Sequence, residues 1–467
     1  MTRTQRLTLL AAIVGTSVVM LDGSIVNVAL PAIERDLGGG LAAQQWVVNA
    51  YLLLLGSFIL IGGSLGDIHG ERKVFGIGVA AFGVCSLACA TAPDIGVLIG
   101  ARALQGVAGA MVTPSSLAVI VAAFPADRRG GAIGAWTAWT GISVVAGPLL
   151  GGWIVDASSW RWVFAINVPL VAATIVLVVL AVPHVPPIAD RKLDLVGAMT
   201  CALGLGGVMA ALIEQPHHGW SSPLISGLLG AGVVLFGGFV WYERQAAQPM
   251  VKLELFRVRN FTAANLETLV MYGGLSILMF FLVIFLQQVA GYSALRSGLT
   301  TLPVTIVMFV LSSRFGALAS RVGPRLFMGV GPLVSAAGVL WLLRAGLRTS
   351  YLGVVFPALV VFGLGLSITV APLTTTVLAE ADERDAGIAS AINNAIARVA
   401  GLVGIGSVGV IVAHTLVGDT FRRTPASVHA FHQAVVACTL CLLTAGAVGA
   451  IAVRNPAGVA TERIMET

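Results

Sequence analysis

The chain has 467 residues, of which 10% are charged and 57% are hydrophobic, and its mean hydropathy is +0.94. A soluble globular protein averages about 25% charged residues. A chain of this composition cannot cover its surface with polar groups, so a soluble enzyme is excluded. The net charge of +6 indicates arginine-rich cytoplasmic loops rather than nucleic-acid binding. The sequence therefore predicts an integral membrane protein.

The residues that would bind nucleotides or metals have the wrong spacing. Lysine occurs only at Lys73, Lys192 and Lys252, and none of them follows a glycine. A Walker A loop needs Gly-Lys-Ser/Thr to hold phosphates, so the chain carries no such ATPase. The five cysteines lie inside apolar segments and predict no disulfide framework. We expect no metal site and no cofactor, and we expect the proton gradient to be the energy source.

Apolar segments long enough to span a bilayer recur along the whole chain. Such a helix needs about 20 mostly apolar residues. We predict fourteen spans, near 7–31, 46–66, 74–92, 95–121, 131–154, 162–182, 194–213, 224–242, 261–287, 298–319, 326–345, 351–378, 386–413 and 430–453. The first resembles a signal peptide, but it is long and lacks a convincing cleavage site, so we predict an uncleaved helix.

The distribution of basic residues supports an even number of spans. When the N-terminus is placed in the cytoplasm, most of the 27 Lys and Arg residues fall in cytoplasmic connections. Cytoplasmic loops carry an excess of Lys and Arg. We therefore predict a multi-pass protein of the cell (inner) membrane, with both termini in the cytoplasm.

A loop after the second predicted span recurs after the tenth. Five residues match at one constant offset, and the pairs are Gly63 and Gly316, Leu65 and Leu318, Gly70 and Gly323, Arg72 and Arg325, and Gly76 and Gly329. Both copies face the same side of the membrane, so the repeats are parallel. Parallel repeats around a midplane site are typical of alternating-access transporters.

The repeat defines the predicted fold class and domains. We predict an all-α integral membrane fold of 14 transmembrane helices, with two parallel six-helix repeats and an inserted helix pair between them. The N-terminal six-helix bundle covers 1–185, a linker with two extra transmembrane helices covers 186–250, and the C-terminal six-helix bundle covers 251–460.

Two charges of opposite sign lie at similar depths in different spans. At about 1.5 Å per residue, Asp22 and Arg102 lie roughly 13 and 10 Å from the outer ends of their helices. Placing a charge at the bilayer centre costs about 2.5–3.5 kcal/mol on insertion scales, so a functional role is the default hypothesis. We predict that Asp22 binds and releases a proton beside Arg102. A static ion pair that locks two helices is the alternative.

Two further charges lie within predicted spans of the second repeat. Glu267 is roughly 9 Å from the cytoplasmic end of span nine and is predicted to carry a second proton or to attract a cationic substrate. A carboxylate that snorkels to the interface is the alternative. Arg398 shares span thirteen with Asn393 and Asn394, and helix–helix hydrogen bonding is an equally good explanation of these three polar residues.

Polar and aromatic residues of the spans are candidates for the substrate cavity. Aromatic faces stack on ligands and attract cations, and Gln105, one turn from Arg102, could instead share the polar network of the ion pair. The candidates are Asn27, Gln105, Trp136, Trp139, Phe281, Asn393, Asn394 and Arg398.

Six segments, in order and on the expected spans, form a recognisable set. They are LDGSIVNVALP at 21–31, the loop 63–73, LIGARALQGVAG at 98–109, GPLLGG at 147–152, WRWVFAINVP at 160–169 and QQVAGY at 287–292. Together they resemble the major facilitator superfamily, specifically its fourteen-span drug:proton antiporter family. The resemblance implies a proton-coupling role for Arg102, a gating loop with Gly63, Asp67, Gly70 and Arg72, and an antiporter motif with Gly134, Gly147, Pro148, Gly151 and Gly152.

Simple mechanics agree with these implied roles. Paired glycines and a proline in span five allow close helix approach and bending. Asp67 at the cytoplasmic end of span two could accept hydrogen bonds from the start of span thirteen, near Ala386 and Gly387. A carboxylate is favoured at a helix N-terminus by the helix dipole, so we predict that this contact closes a cytoplasmic gate.

These observations predict a transporter and not an enzyme. The predicted function is proton-coupled efflux of lipophilic or cationic small molecules by alternating access, in a monomer that contacts membrane lipids and binds no nucleic acid. One alternative is an exporter or flippase of a lipid or specialised metabolite. A second alternative is a membrane receptor or scaffold that transports nothing.

Overall fold

The structure is a computed structural model that describes residues 1–184, 193–246, 249–380 and 386–455. Helix accounts for 86% of it. Within these described ranges, fourteen helices are long and apolar enough to cross a membrane. The predicted number of spans is therefore confirmed, and the chain is a multi-pass membrane protein.

The fourteen helices are numbered α1–α14 along the chain. Their bounds are Arg3–Leu37, Gly40–His69, Glu71–Ala90, Ile95–Ala123, Asp127–Ala157, Arg161–Ala181, Leu195–His218, Pro223–Glu243, Arg259–Val289, Ala294–Val322, Pro324–Arg344, Tyr351–Ala379, Gly387–Ala413 and Pro425–Ala452. A short 3-10 helix, Leu253–Arg257, precedes α9. Between their ends, helices pair their backbone polar groups within the segment, which is what a bilayer demands of a spanning segment.

Short-range signals set several helix starts. Thr2 and Gln5 form a capping box at the start of α1. The Asp94 carboxylate accepts a hydrogen bond from the backbone N–H of Val97 at 2.9 Å and so caps α4. Thr424 caps α14 in the same way. Each cap satisfies a backbone donor that the first helical turn leaves unpaired.

The chain forms two compact units. The first contains Met1–Met250 together with Ser293–Leu299, and the second contains the chain from Val251 onward apart from that segment. Helices α7 and α8 pack on each other, and α7 packs on α2, where Trp46 Nε1 donates to Glu214 Oε1 at 3.0 Å. The boundary at 185/186 lies outside the described residues, so the division into 1–185, 186–250 and 251–460 stays a prediction.

The six repeat helices have equivalent neighbours in the two units. In the first unit α4 packs on α2 and α3, α1 packs on α5 and α6, and α3 packs on α6. In the second unit α12 packs on α10 and α11, α9 packs on α13 and α14, and α11 packs on α14. The repeat found in the sequence is therefore also a repeat of helix pairing.

The two copies of the repeated loop share their backbone geometry. Gly70 and Gly323 have φ angles of +89° and +99°, a region in which glycine is favoured because it lacks a Cβ. Arg72 donates to a carbonyl in the last turn of α6 at 2.9 Å, and Arg325 donates to one in the last turn of α14 at 2.7 Å. The repeated glycine makes the turn, and the repeated arginine ties the third helix of each repeat to the sixth.

Candidate functional site

Asp22 and Arg102 form a buried ion pair inside the first unit. Asp22 on α1 is 0% exposed and Arg102 on α4 is 1% exposed. Arg102 Nη1 donates to Asp22 Oδ2. The structure thus brings together the two residues whose depths matched in the sequence, while their role in proton coupling stays a prediction.

The Arg102 guanidinium is held from several directions. Its Nε donates to the carbonyl of Val47 on α2 at 3.1 Å, and its Nη1 also donates to Gln105 Oε1 at 2.7 Å. Its Cζ lies 4.2 Å from the ring centroid of Tyr51 and 5.7 Å from that of Phe164, within the range of cation–π attraction. These contacts fix the orientation of the cation that faces the carboxylate.

The second carboxylate oxygen of Asp22 is held by two side-chain amides. Asp22 Oδ1 accepts from Gln105 Nε2 at 3.0 Å and from Asn167 Nδ2 at 2.9 Å. Both amides also donate to Ser86 Oγ, at 2.8 and 3.3 Å. Asp22 thus accepts from three N–H donors, which is the arrangement that suits an ionised carboxylate.

The sequence analysis missed several members of this network. Asn167, Ser86 and Tyr51 are each 1% exposed or less, and Cys89 Sγ lies 3.7 Å from Gln105 Oε1. The available signal was an asparagine within an otherwise apolar span, since such residues commonly hydrogen-bond across helices. Ser86 and Tyr51 carried no comparable signal.

Glycines of α5 allow close packing on α1. A Cβ on Gly147 would collide with Ser24 Oγ, and a Cβ on Gly151 would lie 2.6 Å from Ile25 Cγ1. Gly134, near the other end of α5, faces open space within the unit. Two of the predicted motif glycines are therefore required by helix contact, and Gly134 is not.

The end of α5 contacts the first residues of α10, which belong to the same unit. The Asp156 carboxylate at the end of α5 accepts from the backbone N–H groups of Ala294 at 3.0 Å and Leu295 at 2.8 Å. A Cβ on Gly152 would lie 2.5 Å from Leu295 Cα. Pro148 lies inside α5, one turn before Gly152. Asp156 was not predicted, because the sequence gives no sign of a carboxylate that caps a distant segment.

Only the first-unit half of the predicted gate can be described. Asp67 lies half-buried in the last turn of α2, next to Gly63 and the turn at Gly70. The predicted partner, the start of α13, belongs to the second unit, and the Ala386 side chain lies outside the described residues. The gate contact therefore stays a prediction.

Glu267 on α9 is a buried acid of the second unit. It is 0% exposed, and neither carboxylate oxygen has a hydrogen-bond partner within the described residues. Gly274, seven residues further on the same helix face, accepts a hydrogen bond from Cys438 Sγ of α14 at 3.1 Å. Glu267 therefore lies on the side of α9 that packs inside the unit, which does not fit a snorkelling carboxylate.

The other polar candidates of the second unit serve helix contact to different degrees. Asn393 Nδ2 on α13 donates to Asn265 Oδ1 at 3.0 Å and to Thr268 Oγ1 at 2.8 Å on α9. Asn394 is exposed and Arg398 is half-buried. The structure thus supports helix–helix bonding for Asn393, whereas a cavity role for Asn394 and Arg398 stays a prediction.

The remaining cavity candidates differ in exposure. Gln105 and Phe281 are 0% exposed, so both are committed to packing inside their units. Trp136 Nε1 donates to a hydroxyl of α1 at 3.2 Å. Trp139 is 57% exposed, and Asn27 is half-buried. Substrate contact by any of the five stays a prediction.

Curated relatives resemble most of the chain. The multidrug resistance protein Stp of Mycobacterium tuberculosis is 35% identical over 414 residues, covering 88% of this chain and 77% of the relative. The tetracenomycin C resistance and export protein of Streptomyces glaucescens is 36% identical over 420 residues, covering 89% and 77%. The puromycin resistance protein pur8 of Streptomyces alboniger is 35% identical over 403 residues, covering 83% and 78%.

Solved structures share the fold at low sequence identity. A bacterial homologue of the human lysosomal transporter Spinster has a TM-score of 0.67 at 15% identity, and the match covers 97% of each chain. The xylose transporter XylE from E. coli has a TM-score of 0.63 at 13% identity, and the match covers 98% of each chain.

A sequence model of the Major Facilitator Superfamily matches residues 12–405. This match agrees with the motifs of the sequence, the repeated helix pairing and the solved structures. It confirms the resemblance. The chain belongs to the Major Facilitator Superfamily, among relatives named as drug and antibiotic exporters, and is a transporter rather than an enzyme.

Proposed function

We propose that the protein exports lipophilic or cationic small molecules across a cell membrane in exchange for protons, by alternating access, with both termini in the cytoplasm. The names of the relatives support export of small molecules. The observation that carries the coupling is the buried pair of Asp22 and Arg102, which is 0–1% exposed. A charge within a membrane span is functional by default.

The pair can act as a proton switch because its two arrangements favour different forms of the carboxyl. While the guanidinium of Arg102 contacts Asp22, the ionised form is favoured. When a conformational change separates the two, a carboxyl in apolar surroundings takes up a proton instead. The static ion pair remains the rival explanation, since it would have the same resting geometry and no such turnover.

Glu267 is proposed as a second proton carrier rather than a receptor for a cationic substrate. An ionised carboxylate that is buried without a hydrogen-bond partner is far more costly than its neutral form, and both oxygens of Glu267 lack a partner in the described part of the chain. A cation receptor would also need to be accessible, whereas Glu267 is 0% exposed.

The proton gradient suffices as the energy source. One elementary charge that crosses the membrane releases about 2.3 kcal/mol per 100 mV of membrane potential. For a neutral substrate this corresponds to roughly a 50-fold gradient, because about 1.4 kcal/mol is a factor of ten in an equilibrium constant. The proposal therefore requires no nucleotide and no cofactor.

Efflux from inverted membrane vesicles tests the proposal. A panel of neutral and cationic dyes is offered with and without an imposed proton gradient, and we expect gradient-dependent accumulation of at least one lipophilic dye. The key variant is Asp22→Asn. Its matched control is Asp36→Asn, because Asp36 also pairs with an arginine but is 47% exposed at the end of the same helix. Accumulation that ignores the proton gradient would reject proton coupling.

Export of one specialised metabolite is the second candidate. Several relatives are named for a single compound, including a probable actinorhodin transporter of Streptomyces coelicolor and the cephamycin export protein CmcT of Amycolatopsis lactamdurans. Those names favour a narrow substrate range. The same dye panel distinguishes a broad exporter from a narrow one. A narrow exporter moves none of the dyes but still moves its own compound in exchange for protons.

A further inference from the structure

We propose that Asn167 changes its hydrogen bond with the protonation state of Asp22. Its side-chain amide donates to the carboxylate while Asp22 is ionised, and it turns over to accept from the carboxyl O–H once Asp22 is protonated. This inference rests on the proposed function, in which Asp22 is the proton site. It makes Asn167 a positioning residue for the proton.

The structure displays an arrangement of partners that suits the ionised state. Asp22 Oδ1 accepts from Asn167 Nδ2 at 2.9 Å and from Gln105 Nε2 at 3.0 Å, and Oδ2 accepts from Arg102. All three partners are N–H donors in this arrangement. A protonated carboxyl also has an O–H to donate, and a buried O–H without an acceptor costs about 1–3 kcal/mol. Protonation therefore requires an acceptor that the displayed arrangement does not offer.

Of the two amides on Asp22, only that of Asn167 has an acceptor to spare. Gln105 Oε1 already accepts from Arg102 Nη1 at 2.7 Å. Asn167 Oδ1 is buried and has no hydrogen-bond partner among the described residues, and the whole side chain is 0% exposed. Gln105 could turn over only by giving up its bond to the guanidinium, whereas Asn167 gives up nothing on its oxygen.

The turnover needs no backbone movement. Rotation about the terminal bond of asparagine exchanges Oδ1 and Nδ2 between nearly the same positions, and this torsion is broad. After it, Asn167 Oδ1 accepts from the O–H on Asp22 Oδ1. The Ser86 hydroxyl, which accepted from Asn167 Nδ2 at 3.3 Å, can rotate to donate instead. The proton adds to one carboxylate oxygen, and no other covalent bond to hydrogen is made or broken. The turned amide gives up the two hydrogen bonds that Nδ2 donated, to Asp22 Oδ1 and Ser86 Oγ, and gains those that Oδ1 accepts.

Among the groups around Asp22 in the described structure, Asn167 is the one that can accept from the carboxyl O–H. The ionisable side chains next to the carboxyl in the described structure are Arg102 from α4 and Cys89 from α3, and Tyr51 from α2 lies against the guanidinium. Helix α5 meets α1 through glycines, and α6 contributes Asn167. Tyr51 donates its O–H to a backbone carbonyl of α1 at 3.2 Å, so its proton is committed.

The consequence is a site that satisfies both forms of the acid. An amide carries a donor and an acceptor in one flat group, so it can pair with a carboxylate and with a carboxylic acid. A leucine of similar shape would pair with neither. Since a bond to an ionised group is roughly twice as strong as a neutral one, loss of the amide penalises the ionised form more. The proton on Asp22 should then persist to higher pH.

The test uses infrared difference spectroscopy and transport on the same full-length preparations. The C=O band of protonated Asp22 is identified as the band that titrates in the wild type and is absent in Asp22→Asn. In Asn167→Leu we expect this band to move to higher frequency, because its O–H loses an acceptor. We also expect the pH of half-maximal efflux to rise by roughly half to one unit. Gln215→Leu, which removes a 1% exposed amide of the inserted helix α7, should change neither.

The outcomes separate this inference from the proposed function. If no band titrates in the wild type, Asp22 is not the proton site and the proposed function fails. If the band titrates but keeps its frequency in Asn167→Leu, the inference about Asn167 fails by itself, even where efflux is lost. Should Asn167→Leu not fold, Asn167→Thr takes its place. Its shorter hydroxyl reaches Asp22 less well, so a smaller shift in the same direction supports the inference and an unshifted band overturns it.

Discussion

Asp22→Asn is the change that most directly separates a proton switch from a structural ion pair. Asparagine keeps the shape of the carboxyl and removes its charge. Removal of one partner from a buried pair typically costs about 3–5 kcal/mol. Here Arg102 keeps the carbonyl of Val47, Gln105 Oε1 and the ring of Tyr51, and the new amide oxygen can replace Asp22 Oδ2.

The expected loss of stability is therefore moderate and the loss of coupling complete. With those contacts retained, the cost should lie near the lower end of that range, about 3 kcal/mol, because the new amide nitrogen cannot accept from Gln105 Nε2 as Asp22 Oδ1 does. The variant should fold. The imposed pH gradient sets the expected accumulation ratio, because one pH unit is worth about 1.4 kcal/mol per proton, or a tenfold concentration ratio. For a neutral substrate exchanged for one proton, the wild type should approach that ratio, and the variant should give a ratio of about one.

The assay measures the steady-state accumulation ratio in proteoliposomes. The membrane potential is collapsed with a potassium ionophore, and a one-unit pH difference is imposed. Asp36→Asn serves as the control, since its partner Arg161 is also an arginine and the pair is exposed and is therefore worth little. A tenfold ratio that survives in Asp22→Asn would refute the assignment of the proton to Asp22. Collapse of the ratio in both variants would show that the loss is not specific to the buried pair.

Three further changes are expected to have separable effects. Glu267→Gln should lower the accumulation ratio but leave the melting temperature in detergent unchanged or raised, because a neutral isostere suits a buried site without a partner in the described residues. A destabilised protein would show that the carboxylate is ionised and paired. Gly70→Ala should cost about 1–3 kcal/mol because its φ is +89°, and Gly76→Ala, in ordinary contact with its neighbours, should melt close to wild type. Gly147→Val should block folding or transport through its clash with α1, whereas Gly134→Val, in open space, should be tolerated; equal effects of the two would show that contact with α1 is not what matters.

Depth along a helix proved readable from the sequence, whereas direction around it did not. The constant rise per residue placed Asp22 opposite Arg102 from counting alone. Direction was not readable for Phe281, a cavity candidate that is 0% exposed and whose contact with substrate stays a prediction. A membrane helix can be apolar on every side, so periodicity does not tell lipid, cavity and core apart.

Polar residues without a charge were the hardest to assign. Asn167 belongs to a recognised motif, yet its contact with Asp22 joins residues on α6 and α1, and nothing in the sequence measures how two distant helices are rotated about their axes. Gln105 was placed correctly in the network only because it lies one turn from Arg102. The repeat, in contrast, was readable from the sequence. The turn at Gly70 has a positive φ, which favours glycine, and the hydrogen bond to the last turn of α6 depends on the side chain of Arg72.

The inserted helices α7 and α8 attach to the first unit on the outside of α2, where Trp46 contacts Glu214. Neither α7 nor α8 takes part in the pairing pattern that the two sets of six repeat helices share. They are thus additional to the repeated pairing, and only 17% of the most apolar stretch of α8 is buried, a share as low as that of α10. Bilayer thickness and lipid type should consequently act on this protein through α8 as well as α10, and α7 connects α8 to α2 beside Val47, whose carbonyl holds Arg102.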